Sequence, residues 1–517
     1  MKNITRYLLA MSLLLFWSSL SADGVIKNGA KLKLKKGTHL IEKGSVHILP
    51  NSSFIIEGMA TIDEELSNQN GYQGIIIKSD AENTGSLIYN EGSPEAQVEL
   101  YMTTKSSHLI GVPVSGEISG TLNFFGSPQT WLYEYNDGSG LSVINGNNDI
   151  LNSGQGYYYR IRPYENPGIT PIFEGNLKSS DLELDHASIP PIQFNSRGIN
   201  LVSNPYACAI DWDDDNISLT NMEHSIWVYD SRKRRYKFRN TSGYGNLTNG
   251  IIPMGQGFFV RAKNNNASII IPKEARLHNE IPLYKSSNEI NSELSFVSLE
   301  VQQDTLSDLI WVGYQWDSSD DFDNGIDISK MFTFEEEPQL YTTHNEEEFC
   351  VDVIAEPIED GKTVELHFRV GLSGTHHLEM QMWQGFEYMN VLLEDLVTGD
   401  VLDIKEMNTY EFEATVGDSD ARFLLHFNPY TPTSVQDMNS SQVNMYAYQK
   451  TIYINSDGKF AKQSKNILIY DVNGKQLGEV FLPAGKMQKI ENIYQRKVLI
   501  LKAIYPEQIF TRKILNF

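Results

Sequence analysis

The sequence predicts an all-β protein of several domains, and three observations carry that prediction. Short runs with period-two alternation recur along the 517 residues, bounded by Gly, Asn, Ser and Pro. A block of about ninety residues occurs twice with its strand-like segments in the same order. The composition agrees: 38 glycines, 26 tyrosines and 23 phenylalanines supply turns and pleated surfaces. A chain of this length exceeds what one hydrophobic core serves, so three or four domains are expected. The 40% hydrophobic content excludes a wholly disordered chain and a polytopic membrane protein. With 66 acidic against 42 basic side chains, a net charge of −24 argues against a nucleic-acid partner.

Residues 1–22 read as a signal peptide. Lys2 and Arg6 precede the apolar run Tyr7–Trp17, and Ser19-Leu-Ser-Ala22 resembles a cleavage site. The run is shorter than the roughly twenty residues of a membrane helix, and no later stretch is apolar enough to span. No cysteine lies near the cleavage region, which excludes a bacterial lipoprotein leader. Cys208 and Cys350, the only two cysteines, are expected to be small buried residues.

Residues 23–100 form an N-terminal region of short strands such as Ala30-Lys-Leu-Lys-Leu34, Ser53-Phe-Ile-Ile-Glu57 and Gly74-Ile-Ile-Ile-Lys78. Rungs this short suit either a short β-solenoid or a sandwich. Residues 101–282 hold the duplicated β-module, with repeats at about 101–190 and 191–282. Leu109-Ile-Gly-Val-Pro113 matches Leu201-Val-Ser-Asn-Pro205, and Trp131-Leu-Tyr-Glu134 matches Trp227-Val-Tyr-Asp230. Gly154-Gln-Gly-Tyr-Tyr-Tyr-Arg160 matches Gly255-Gln-Gly-Phe-Phe-Val-Arg261. Each unit reads as a strand, a hairpin with Trp and Tyr on one face, and a closing strand after a glycine bend.

Residues 290–428 carry longer alternating strands, from Leu294–Val301 to Ala421–Phe427, and fit a jelly-roll-like β-sandwich. A linker follows at 429–445. Residues 446–517 are again β, with Asn473-Gly474 as a hairpin signal.

That last domain resembles the C-terminal sorting domain of proteins exported by the type IX secretion system of Bacteroidota. The resemblance rests on Ile452-Tyr-Ile454, on Ile469-Tyr470-Asp471-Val472-Asn473-Gly474-Lys475, and on Lys513-Ile-Leu515 at the C-terminus. Where that family often has Gly-x-Tyr, this chain reads Gln495-Arg-Lys-Val-Leu-Ile500. The resemblance implies an Ig-like C-terminal sandwich that directs passage across the outer membrane. It also implies two partners: the type IX machinery, and a surface protease that usually removes the domain and either attaches the cargo to lipopolysaccharide or leaves it to be released. The duplicated module and the preceding sandwich are similar to adhesin-like cargo of that system, and neither brings catalytic residues.

A direct search for chemistry finds no His-Glu-x-x-His, no Gly-x-Ser-x-Gly and no phosphate loop. Gly417-Asp-Ser419 reads as a hairpin tip, and His376-His377 as surface imidazoles on opposite faces. No cofactor is expected, with calcium the one metal entertained. Its candidate ligands are Asp317, Asp320, Asp321, Asp323 and Asp327, although Gly325 falls outside the EF-hand register and solvated turns compete. Asp211, Asp213, Asp214 and Asp215 form a second acidic cluster. Arg232-Lys233-Arg234-Arg235 is a candidate binding loop, or a solvated hairpin tip. Tyr157-Tyr158-Tyr159 is expected to pack on alternate faces.

Residues 437–517 carry a net +6 and the leader +2, leaving −32 over residues 23–436. The expected function is that of an exported surface protein with an adhesin-like binding or structural role toward a glycan or matrix protein. The alternative is a secreted hydrolase of glycan or protein.

Overall fold

The computed structural model describes residues 23–278, 295–429 and 443–516, apart from short internal stretches, the longest at 104–106, 123–129, 163–167, 186–188, 190–196, 316–317, 356–360 and 492–496. The leader and most of the linker lie outside the described residues. Regular structure among those residues is β-strand, broken by five single-turn 3-10 segments. No helix there is long and apolar enough to cross a membrane. The chain divides into two units: residues 1–290 with 324–333, and residues 291–323 with 334–517.

The first unit begins as a three-sided parallel β-solenoid, which settles the choice left open by strand length. Its rungs are β1 (Gly24–Ile26), β2 (Lys31–Leu34), β3 (His39–Glu42), β4 (Val46–Ile48), β5 (Ser53–Ile56), β6 (Met59–Asn68), β7 (Ile75–Ile77), β8 (Ser86–Glu91) and β9 (Glu95–Glu99). One face stacks β1, β4 and the end of β6; a second stacks β2, β5, β7 and β9; a third stacks β3, the start of β6, and β8. The stacking works because each face places an aliphatic or aromatic residue above its like. Phe54 sits beside Ile75, Ile77 between Ile56 and Val98, and Ile62 beside Tyr89, all essentially inaccessible to water. The last rung is closed by Ile172–Asn176, antiparallel to β9, with the buried Phe173 opposite Val98.

The two modules fold alike. The first sheet orders its strands Ser107–Gly111, Gly156–Ile161, Thr130–Asn136, Gly140–Ile144. The second orders Ile199–Ser203, Gly257–Arg261, Ser225–Asp230, Arg235–Asn240. Trp131 pairs with Arg160, whereas Trp227 pairs with Phe259, so the matched tryptophans differ by two positions in register yet keep the same face. Tyr157 and Tyr159 are buried and Tyr158 is half-buried, the alternation expected of a strand.

The modules are joined by reciprocal hydrogen bonds at their glycine bends. The Ser203 N–H donates to the Gly154 carbonyl, and the Gly111 N–H donates to the Gly255 carbonyl, both at 2.8 Å. Gly154 and Gly255 have φ of +88° and +67°, backbone that a β-carbon disfavours. The chains also approach too closely for side chains: a Cβ on Gly156 would meet the Val202 carbonyl oxygen at 2.5 Å, and one on Gly257 the Ile110 nitrogen at 2.9 Å.

Residues 324–333 strap the second module. Trp227, fully buried, donates its indole N–H to the Ser329 carbonyl at 3.0 Å. The buried Glu223 carboxylate accepts from the Ser329 N–H at 2.9 Å and its hydroxyl at 2.8 Å. The Asn240 amide donates to the Ile326 carbonyl at 2.6 Å, and the His224 N–H to the Asn324 side-chain oxygen at 2.9 Å.

In the second unit, ten strands form one sheet with Val401–Asp403 at one end and Thr409–Ala414 at the other. The sheet rolls until its ends face each other in jelly-roll fashion. Phe412, on the last strand, lies 5.3 Å from Phe423 and 5.2 Å from Phe368 near the opposite end. A buried ion pair marks the closure: Arg422 donates through Nε and Nη2 to Asp395 Oδ2 at 3.2 and 2.8 Å, and its guanidinium covers the Phe412 ring. His376, expected at the surface, is fully buried and stacks on Phe412 with Nδ1–H donating to the Gly374 carbonyl. Its strand neighbour His377 faces outward and is 42% exposed, so the alternation is real and only one imidazole is at the surface.

The C-terminal domain is a seven-stranded antiparallel Ig-like sandwich. Val443–Tyr448, Thr451–Ser456 and Met487–Glu491 form one sheet; Gln476–Leu482, Lys465–Asp471, Lys497–Ile504 and Ile509–Asn516 form the other. Ile452, Ile454, Ile467, Ile469, Leu499 and Leu501 fill the space between them.

Substituting alanine at Gly156 or Gly257 is expected to destabilise the duplicated modules by about 1–3 kcal/mol through overpacking against backbone. Denaturant titration of the full chain checks this, and an unchanged midpoint for both would refute the close-approach account.

Candidate binding site

The sequence-predicted residues do not converge on one centre. Lys233, Arg234 and Arg235 lie on the hairpin between Ser225–Asp230 and Arg235–Asn240, and Arg232 lies outside the described residues. The Lys233 N–H donates to Asp230 Oδ1 at 3.2 Å, Arg234 turns the chain at φ +54°, and Arg235 is buried on the strand opposite Asp230. The basic run is therefore divided between turn and strand and does not form one exposed patch.

The acidic candidates are engaged by protein donors. Asp320 pairs with Lys362 and accepts the Ala355 N–H at 2.9 Å. Asp321 accepts from the Asn345 amide at 2.6 Å, and Asp323 from the Ser319 N–H at 2.6 Å and hydroxyl at 3.0 Å. Asp327 is buried within the strap, and Asp317 lies outside the described residues. In the other cluster, Arg239 grips Asp213 through Nε and Nη2. Among the described residues no three His, Cys, Asp or Glu side chains gather as a metal would require.

The sorting signature occupies a strand and the turn after it. Ile469 is buried, Tyr470 lies beneath the Lys502 ammonium, and Asp471 closes the turn by accepting the Lys475 N–H at 2.9 Å. Gly474 takes φ +81°, which the Asn-Gly signal anticipates. Asn473 lies outside the described residues, and Lys513 sits on the final strand opposite Ile500. Near this strand, Lys465 is buried with its ammonium donating to Ser456 Oγ at 2.9 Å, and Ser456 shares a 2.7 Å hydrogen bond with the Tyr505 hydroxyl.

A cavity of about 370 Å³ lies within the first unit, and sequence reasoning missed it. The solenoid lines it with 80–86 and 100–103, the first module with 108–110, and the second module with 208–209, 228–231, Lys237 and 253–256. Asp230 and Lys237 both line it, with Nζ to Oδ2 at 3.7 Å and side chains 10% and 17% exposed. Burial pulls the Lys237 ammonium below its usual range. His108 donates from Nε2 to the Thr103 carbonyl at 2.9 Å, and burial holds the imidazole neutral. Cys208 is a free thiol that burial pushes up to about 12, so it stays protonated and unreactive. Ser86 meets His278 Nδ1 at 2.7 Å, and His278 Nε2 in turn meets the Thr61 hydroxyl at 2.9 Å. Burial and His39 lower His278 to about 4, which makes it a weak base for that serine. The cavity thus sets apolar side chains beside polar and charged ones, the Asp230–Lys237 pair among them, a geometry for holding a ligand. Only the basic run beside Lys237 hinted at this hairpin from the sequence.

Residues 18–427 match the family described as "Domain of unknown function (DUF8693)". The chain is also similar to Minor fimbrium subunit Mfa5 of Porphyromonas gingivalis, at 23% identity over 496 residues and 86% of this chain. It spans 38% of that relative's length. Among solved structures, Tp47, the 47-kilodalton lipoprotein of Treponema pallidum, aligns over 81% of this chain and 90% of that one, at 7% identity and a TM-score of 0.13.

Lys465 provides a pH-dependent prediction. An ordinary lysine titrates near 10.5, and burial pushes this one down to about 8. Below pH 8 both folded and unfolded chains are protonated, and the fold bears the full cost of a buried ammonium. Between 8 and 10.5 the folded state loses its proton first and that cost disappears. Lys465→Met is therefore expected to stabilise the C-terminal sandwich by about 2 kcal/mol at pH 7, with the gain vanishing by pH 10.5. Denaturant midpoints across that range check it.

Proposed function

The chain belongs to the DUF8693 family, and on that premise we propose that it is a cell-surface protein with an adhesin-like binding or structural role. The observation that carries this reading is its similarity to a fimbrium subunit along most of its length. The stacked β-architecture supports it, because solenoid, modules and sandwich present wide surfaces on rigid frames. The C-terminal sandwich serves delivery. It engages the type IX secretion machinery, and a surface protease removes it once the cargo has crossed the outer membrane. The Asp471–Lys475 turn and the terminal Lys513 strand are the features that support this part.

The alternative of a secreted hydrolase has one observation in its favour, the Ser86–His278 contact. No described carboxylate hydrogen-bonds His278, and its low basicity suits structure better than catalysis. Ester and glycoside substrates are expected to show no turnover above buffer; turnover abolished by Ser86→Ala would favour the hydrolase.

Deleting residues 437–517 from the full-length gene tests delivery. The truncated chain is expected to remain in the periplasm, protected from protease added to intact cells, while the full chain reaches the surface. Surface exposure of the truncated chain would refute the sorting role.

A further inference from the structure

We propose that the cavity between the solenoid and the two modules binds a short uncharged saccharide of one or two rings, through the facing side chains of Asp230 and Lys237. The proposal rests on the adhesin-like reading and names the ligand class for this site. At about 370 Å³ the cavity lies at the small end of ligand sites, which run from about 300 to 1,000 Å³. That volume admits a small molecule and excludes an extended peptide strand.

The polar groups favour hydroxyls over charge. Asp230 and Lys237 stand 3.7 Å apart, beyond hydrogen-bond length, on neighbouring strands of one hairpin. A hydroxyl donates to the carboxylate and accepts from the ammonium at once, and adjacent hydroxyls of a sugar present both functions along one edge. Lys237 is largely covered by protein, so bonds to its ammonium form in a partly dry environment where they count for more. An acidic sugar meets Asp230 and also Asp80 and Glu82 at the rim, two carboxylates that share the single ammonium of Lys36. Burial disfavours a charge on His108, whose Nε2–H donates to the Thr103 carbonyl.

The remaining wall fits the other half of a sugar. Leu100, Met102 and Met254 supply an apolar surface, with Tyr229 at the hairpin. Sugar rings carry C–H groups on one face and hydroxyls at the edge, so such a ring satisfies both kinds of wall together. Cys208 contributes only bulk to this surface, being buried and protonated.

Calorimetric titration and saturation-transfer NMR on the full chain test this, with lactose, maltose, N-acetyllactosamine and 3′-sialyllactose as probes. At least one neutral disaccharide is expected to bind, and sialyllactose is not. Lys237→Met, which removes the donor, and Met254→Trp, which fills the space, are each expected to weaken that binding about tenfold or more. Absence of binding by every neutral probe overturns the proposal, as does binding that survives both substitutions, or sialyllactose bound as tightly. Beads carrying the protein, tested on glycan-coated and matrix-protein-coated surfaces, separate this from the adhesin reading. Equal adhesion by wild type and both variants overturns the cavity proposal while the adhesin reading stands. No adhesion to any coated surface counts against the adhesin reading, and the titration then decides the cavity separately.

Discussion

Two short backbone hydrogen bonds, Ser203 N–H to Gly154 and Gly111 N–H to Gly255, hold the first unit together. Each module lends its glycine bend to the opening strand of the other, so neither sheet reaches its final position alone. The approach is possible only because glycine stands at 111, 156 and 257, where any side chain would strike backbone or the Ser203 side chain. The cavity depends on this exchange, since residues 108–110 and 253–256 form part of its lining and are the segments that the bonds bring together. The solenoid is tied in as well, because its last rung is closed by a strand from the first module.

Buried polar groups fix the closure of each body. Glu223 meets Ser329 at the strap, and Asp395 meets Arg422 where the rolled sheet closes. Pairs of this kind contribute modestly to net stability, yet removing one partner strands the other away from water. The sheets are thereby held to one arrangement out of the several that interchangeable aliphatic strands would permit. Glu223 shows the tension directly: burial raises its carboxyl, while Arg261 and the Ser329 donors act in the opposite direction.

Period-two alternation and the doubled Gly-Gln-Gly bends made the all-β class and the repeat legible in the sequence, while the C-terminal sandwich was what the resemblance to sorting domains implied. The alternation and the bends report backbone geometry directly: strand faces alternate, and a positive φ asks for glycine. The solenoid was not distinguishable from a sandwich, because four-residue runs such as Lys31–Leu34 satisfy either and the return distance drifts between 20 and 27 residues. The strap was hidden for a different reason. Its stretch reads as an acidic loop, while the Ile326 and Ser329 carbonyls that accept from Asn240 and Trp227 are main-chain groups carrying no side-chain signature. His376 was misjudged because a histidine pair looks polar in sequence, whereas the strand turns one ring inward onto Phe412. The cavity draws its lining from segments up to about 170 residues apart, and only Lys233–Arg235 flagged its hairpin.

The strap also sets a timetable for folding. A chain that emerges from its N-terminus exposes the second module, with Trp227 and Glu223, roughly a hundred residues before Ser329 arrives to meet them. Until then the module has an indole N–H and a carboxylate without the partners that later bury them. Its completion waits for the first two strands of the next domain to be made. Vectorial folding, one domain finishing before the next begins, is therefore interrupted at this point. The central module therefore stays unlocked until the chain has been made through Ser329.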